Sequence, residues 1–256
     1  MKQFYMSRRF WKEVKHAIPR KKSPRRPRKG AKKIMKALFY ILRTGIQWKA
    51  LPHEFKVSAS TVHRRFQEWI QDCVFQKFWV NVLKKYERKN HAMMQWIAID
   101  GSFSKAPLGG QEIGKSPVDR RKIGTKKHIC VDQNGIVIGM SISGANRHDN
   151  VMAQTTVNSI AAPLNHERII FAGDTAYDAK NTRIFLKKKG FIPVISLNKR
   201  RSKTVEKVRS RYRWIIERTH GHLNKWRGIF TRWNKKVENY VAAIQIAATF
   251  YTLRYL

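Results

Sequence analysis

Apolar residues recur every three or four positions through most of the first 90 residues, a spacing that predicts a group of helices. Gly45 suits the C-cap of one helix, and Ser58 or Ser60 can cap the start of the next. That pair, joined by a short connection, resembles a helix-turn-helix, a pattern that many other helix pairs share. The predicted helices cover 6–18, 31–46, 61–71 and 73–87.

Beyond residue 90 the pattern changes to short apolar runs that alternate with helical stretches. Strands joined by helices in this way predict an α/β layered domain with right-handed crossovers. A tight turn at 133–135 is expected to join the second and third strands as a hairpin. We therefore expect a helical domain over 1–90 and an α/β domain over 91–256. The predicted strands are 93–100, 127–132, 135–142, 167–174 and 191–197, and the helices are 150–161, 178–189, 205–227 and 238–254.

The charge of the chain narrows the class of partner. The formal net charge of +38 is spread over both halves, since 25 basic and 5 acidic side chains precede residue 91, and 29 and 11 follow it. Such a surface attracts polyanions, and binding gains energy from counterion release. Nucleic acid is the expected partner. An anionic membrane is the alternative, but no basic amphipathic helix with a wide apolar face supports it, and no apolar window is long enough to span a bilayer.

Several basic groups are candidates for contacting DNA. Three of them, His63, Arg64 and Arg65, lie away from the inward side of the predicted helix 61–71. Lys126 and Lys127 open a predicted strand, where phosphate contact and plain solvation are both open. The stretch 19–30, rich in proline, lysine and arginine, is expected to be extended, either as an arm along phosphates or as a solvated linker.

Acidic residues are scarce, and three of them suggest chemistry. Asp100 and Asp174 each end an apolar strand beside a glycine, and the carboxyl ends of parallel strands are where open α/β sheets bind ligands. If the two strands are neighbours, the carboxylates converge, raise each other's pKa and attract a cation such as Mg²⁺. Glu217, four residues after Arg213 on a predicted helix, taken alone is better explained as a surface ion pair. Together the three could hold two metal ions about 3.5–4 Å apart, an arrangement suited to phosphodiester displacement.

Ordered motifs run through almost the whole chain. The first half contains GIQWKALPHEF and STVHRRFQEW, and the second contains AIDGS, GKSPVDRRKIGTKKHICVDQNGIVIG, SGANRHDN, AGDTAYD and RWIIERTHGHLNKWRG. These motifs resemble those of the DDE transposases of bacterial insertion sequences, of the type founded by insertion sequence five. The resemblance implies a ribonuclease-H-like mixed five-stranded sheet flanked by helices after the N-terminal helical domain. It also implies that Asp100, Asp174 and Glu217 form a catalytic, metal-binding triad.

The same resemblance implies cofactors and partners. The expected cofactor is a pair of Mg²⁺ ions, for which Mn²⁺ can substitute. The expected partners are double-stranded DNA, as transposon terminal inverted repeats and as target, and at least one further copy of the chain when two ends are paired. The expected location is the bacterial cytoplasm, with the nucleoid. In the family's extended signature Arg213 matches and is carried over as a DNA-binding residue. Ser210 replaces a tyrosine and Asn224 replaces a lysine, so Lys225 is taken as the stand-in that contacts transposon-end DNA.

Two other functions are kept open. A repressor that binds DNA without catalysis would not need the triad, and a related nuclease or resolvase would cut DNA without joining it. His148 could approach the active site, order a loop with Asp149, or belong to a turn that caps the next helix. Cys73 and Cys130 lie among apolar neighbours and are expected to be two buried free thiols in a reducing compartment.

Overall fold

The fold is taken from a computed structural model that describes residues 4–21, 27–89, 95–161, 168–197 and 210–256. Its centre is a mixed sheet in the order β4-β3-β1-β5-β6, with the two-residue β2 pairing the start of β3. β3 runs antiparallel to its neighbours β1 and β4, whereas β5 is parallel to both β1 and β6. The predicted mixed five-stranded sheet is confirmed, and β2 is an addition. The strands are β1 Trp96–Lys105, β2 Gly114–Lys115, β3 Ile123–Asp132, β4 Val137–Gly144, β5 Ile170–Gly173 and β6 Ile192–Ile195.

β1 is longer than the sequence suggested, and this changes where Asp100 lies. β1 pairs with β3 from Ile97 to Lys105, whereas its parallel pairing with β5 is recorded only as far as Ala98. Asp100 therefore lies midway along β1, not at its end. We call the space beyond the end of β5, beside the second half of β1, the notch.

The helices follow the predicted pattern, with shifts of a few residues at their ends. Gly45 caps α2 with a φ of +69°, and the Ser58 hydroxyl accepts a hydrogen bond from the Thr61 amide at the start of α3. Residues 205–209 of the predicted long helix lie outside the described residues, and α7 ends three residues earlier than expected. The helices are α1 Arg8–Val14, α2 Ala31–Thr44, α3 Ala59–Gln71, α4 Val74–Lys89, α5 Asp149–Asn158, α6 Lys180–Lys188, α7 Ser210–Asn224, α8 Arg227–Phe230 and α9 Val237–Thr252.

The connection between α2 and α3 is not a short turn. It spans 45–58 and contains two 3₁₀ turns, Trp48–Ala50 and His53–Phe55. A helix-turn-helix uses only about three or four residues there. The predicted helix ends at 46 and 61 already left a stretch of this length, and its apolar side chains, among them Trp48 and Phe55, pack it onto the core, so the pair is a poor match to a helix-turn-helix.

The N-terminal helices and the sheet share one continuous hydrophobic core. α4 packs against α9, and the Trp79 indole donates a hydrogen bond of 3.3 Å to the main-chain oxygen of Val137 in β4. The Tyr86 hydroxyl donates at 2.5 Å to Asp132, which is buried at the hairpin turn. The proposed domain boundary at residue 90 and part of the stretch 19–30 lie outside the described residues.

Two further observations bear on the sequence-based expectations. Cys130 is buried as expected, but Cys73 is exposed, because it occupies the turn between α3 and α4 with a φ of +54°. In the described part of the chain, no helix is both long enough and apolar enough to cross a membrane.

Candidate active site

Asp100 and Asp174 come together at the notch. β1 and β5 are parallel neighbours in a register that pairs Ala98 with Ala172, and each aspartate lies two residues further along its chain. Asp100 accepts a hydrogen bond from the Gly101 amide at 2.8 Å. Asp174 caps the 3₁₀ turn that follows β5, where it accepts from the Ala176 amide at 2.9 Å. The condition left open by the sequence, that the first and fourth predicted strands are neighbours, is therefore met.

α7 places Glu217 over the same pocket. The Tyr212 ring packs edge-on against Trp96 at 4.6 Å between centroids, which anchors α7 near the start of β1. Glu217 lines one pocket together with Asp100 and Asp174. Its side chain is 56% exposed, and its carboxylate accepts a hydrogen bond of 3.1 Å from Arg213, four residues earlier. Glu217 is therefore both a member of the acidic pocket and half of a surface ion pair.

Burial and nearby negative charge disfavour the charged state of the two aspartates. Burial, with the negative charge of Asp174 as the next largest cause, raises the pKa of Asp100 to about 7. Burial also raises the pKa of Asp174, and Asp149 adds to the effect on both groups. A bound cation would relieve this repulsion and favour the ionised carboxylates.

The carboxylate donors of this pocket suit a hard divalent cation, but their side chains are not arranged as a complete metal site. Carboxylate oxygens are the ligands that Mg²⁺ prefers. Across the residues that the structure describes, no three His, Cys, Asp or Glu side chains lie close enough together to hold a metal ion. Asp100, Asp174 and Glu217 line one pocket, and Glu217 is also paired with Arg213. A metal site at these residues therefore requires the three carboxylates to move closer together.

Two buried bases lie beneath Asp100, and the sequence analysis did not assign either to this position. His220 Nε2 is 3.6 Å from Asp100 Oδ2, and neither ring nitrogen has a hydrogen-bond partner. Lys127 is fully buried and donates to the hydroxyls of Ser102 at 3.3 Å and Ser104 at 3.0 Å. Burial holds the pKa of His220 well below its usual value and lowers that of Lys127 to about 7. The sequence offered one signal for His220 at this position: it follows Glu217 by three residues on the same predicted helix.

The structure separates the candidate DNA-binding residues into two groups. Lys127 cannot present its ammonium to a phosphate, so that expectation is wrong for this residue. Arg65 is also buried, with its guanidinium 5.3 Å from the Trp69 ring centre, and Lys126 is mostly enclosed by its hydrogen bonds to Asp149 and to the main chain. The candidates that remain exposed are His63, Arg64, Arg213 and Lys225.

Comparison with known proteins gives two family matches. Residues 91–253 match the family described as "Transposase DDE domain", and residues 6–79 match the family described as transposase of the IS4/5 family. These two ranges together cover most of the chain.

Individual relatives agree with the family matches. A Burkholderia cepacia protein named as the transposase of insertion sequence element IS402 is 30% identical over 145 residues, which is 54% of this chain and 67% of that protein. A 16.2 kDa protein of the same element is 26% identical over 114 residues, or 42% and 78%. Among solved structures, the piggyBac transposase synaptic complex with hairpin DNA has a TM-score of 0.52 at 10% identity, covering 99% of this chain and 73% of that one. At this identity the likeness concerns the fold alone.

Proposed function

Because the chain belongs to the IS4/5 family of DDE transposases, we propose that Asp100, Asp174 and Glu217 are its catalytic Asp-Asp-Glu set. The observation that carries the proposal is the notch: the two aspartates lie there on neighbouring parallel strands, and Glu217 lines the same pocket. Because the chain is strongly basic and has few other acidic residues, a pocket lined by three acids is unusual for it. The reaction proposed is metal-dependent cleavage of DNA at transposon ends, followed by joining to target DNA.

The cofactor proposed is a pair of Mg²⁺ ions, with Mn²⁺ as a substitute. When bound, such ions activate the attacking oxygen and stabilise the leaving oxygen of a phosphodiester displacement. Asp100 and Asp174 would hold them from the strand side, and Glu217 from α7 after its carboxylate leaves Arg213. The raised pKa of Asp100 supports this, since a group crowded by negative charge gains most from a cation.

The substrate proposed is double-stranded DNA, both as terminal inverted repeats and as target. Basic residues spread over the surface would hold the phosphates. Arg213, once released by Glu217, lies on the helix that carries Glu217, and Lys225 lies just after that helix. The 3′ hydroxyl released by cleavage would then attack the target strand. Because two ends must be paired, we propose a dimer or larger assembly, acting on DNA of the bacterial nucleoid.

The experiment is a cleavage and strand-transfer assay on duplexes that carry the inverted repeats flanking the gene, with Mg²⁺ or Mn²⁺ added. Asp100→Asn, Asp174→Asn and Glu217→Gln should each abolish both reactions. Glu238→Gln removes an equal charge at the start of α9 and should leave them intact. Full activity in all three variants would refute the assignment. Cleavage without joining would favour a nuclease, and metal-independent binding without nicking would favour a repressor.

A further inference from the structure

Asp149 is a fourth carboxylate near the notch, and the proposed triad does not use it. It begins α5, a helix that packs against β1, β3 and β4. Successive residues of a strand face opposite sides of the sheet. Asp100 faces α7, where it meets His220, whereas Gly101 faces Asp149. Asp149 therefore approaches β1 from the side of the sheet opposite Glu217.

Two basic side chains of β3 flank one oxygen of Asp149. Lys126 donates to Asp149 Oδ1 at 3.0 Å and also to the main-chain oxygen of Arg147 at 3.0 Å. His128 Nδ1 lies 3.7 Å from the same oxygen; its ring is fully buried, and this nitrogen has no hydrogen-bond partner. The other ring nitrogen of His128 bonds to the Ser143 hydroxyl at 2.8 Å. Among the described residues, nothing donates a hydrogen bond to Asp149 Oδ2.

Gly101 is what lets this carboxylate come so close to the strand. A Cβ atom at position 101 would lie 2.8 Å from Asp149 Oδ1 and 3.0 Å from His128 Nδ1. Even alanine would therefore push Asp149 and His128 away. Because Gly101, next to Asp100, has no side chain, the carboxylate of Asp149 from α5 occupies the space beside the strand.

The charge of Asp149 acts on the other two strand-side acids. It raises the pKa of Asp100 and of Asp174, so all three carboxylates are close enough to repel one another. The same field attracts a cation, and it falls off slowly where water is excluded. Lys126 offsets part of this negative charge, because its ammonium is paired directly with Asp149.

We propose that Asp149 is a positioning residue of the metal site, whose charge strengthens the binding of a divalent cation at Asp100 and Asp174, and that Lys126 limits this effect. The inference rests on the proposed function only in taking those two aspartates as the cation site. The proposal predicts that removing Asp149 and removing Lys126, the two partners of one ion pair, change cation binding in opposite directions. Removing the acid weakens cation binding, and removing the lysine strengthens it.

The test measures Mn²⁺ binding to the full-length protein without DNA, by electron paramagnetic resonance of the free ion. Asp149→Asn should weaken the affinity about fivefold, as expected for one charge acting across a partly dry site. Lys126→Gln should tighten it by a similar factor, and the double variant should return towards the wild-type value. Glu238→Gln is the matched control, since Glu238 lies in the first turn of a helix and is paired with a lysine, and it should have no effect.

A purely structural ion pair would give a different pattern. Both single variants break the same contact, so both would then shift Mn²⁺ affinity in the same direction, and that result would overturn the inference. So would an Asp149→Asn affinity equal to that of Glu238→Gln. Asp100→Asn separates the two proposals: if it binds Mn²⁺ as tightly as wild type, the proposed metal site is wrong. If it loses binding while Asp149→Asn does not, only this inference fails. Thermal melts of each variant check the fold, and Lys126→Gln carries the test if Asp149→Asn is unstable.

Discussion

Replacing Lys127 by methionine should stabilise the fold, even though the side chain lies in the interior. Its ammonium is fully buried, and among the described residues it has two hydroxyl partners but no carboxylate within ion-pair distance. Keeping an unpaired cation in the interior is costly, and an apolar side chain of similar length avoids that cost.

The size of the effect follows from the pKa of Lys127, which burial lowers from 10.5 to about 7. Below pH 7 the lysine is protonated in both the folded and unfolded states, so the full cost of about 5 kcal/mol acts against folding. As pH rises from 7 to 10.5 the folded protein holds a neutral amine while the unfolded chain still binds a proton, so the cost fades. Methionine loses two hydrogen bonds to serine, about 1 kcal/mol each, which leaves an expected gain of about 3 kcal/mol near pH 6.

Guanidinium denaturation at pH 6 and pH 9 measures this gain. The free energy of unfolding of Lys127→Met should exceed that of the wild type by about 3 kcal/mol at pH 6, and by close to zero at about pH 9. Lys187→Met, at an exposed position of α6, should change little at either pH. A loss of stability at pH 6, or a gain that grows with pH, would refute the reasoning.

Divalent-cation binding should weaken about tenfold for each pH unit below 7, because a proton competes for Asp100, whose pKa is about 7; equal Mn²⁺ affinities at pH 6 and pH 8 would contradict this. Gly45→Ala should lower the melting temperature, because Gly45 has a φ of +69° and a Cβ there would lie 2.6 Å from the nearest side-chain atom. Gly30→Ala, with open space around it, should not. In the native protein a thiol reagent should label exposed Cys73 and spare Cys130, which is buried and has a raised pKa; labelling of both before unfolding would show the packing to be wrong.

The main elements could be predicted because their signals are local. Apolar runs ending near Asp100 and Asp174 marked two strands, whereas the adjacency of those strands in the sheet was decided by the structure. Gly45 and Ser58 marked helix ends through backbone conformation and capping, which depend on a few adjacent residues.

The length of β1 could not be predicted in the same way. Apart from Phe103, residues 101–105 are small, polar or basic, and pairing with β3 continues the strand along all of them. Likewise the two 3₁₀ turns between α2 and α3 were not predicted, because they depend on Trp48 and Phe55 packing against the core. Pairing and packing partners far along the chain decide such features, and local propensity does not record them.

The local sequence pattern was thus sufficient to predict which segments are helices or strands, their order, and which strands carry the acids. The roles of Lys126 and Lys127 show what depended on the assembled molecule. Adjacent strand residues face opposite sides of a sheet, and here α5 covers one side while α7 and α9 cover the other. Neither lysine therefore meets solvent freely: one pairs with Asp149, and the other lies buried near Asp100. Whether a basic residue meets a phosphate or a carboxylate depends on what packs over it, which becomes defined only when the helices close on the sheet.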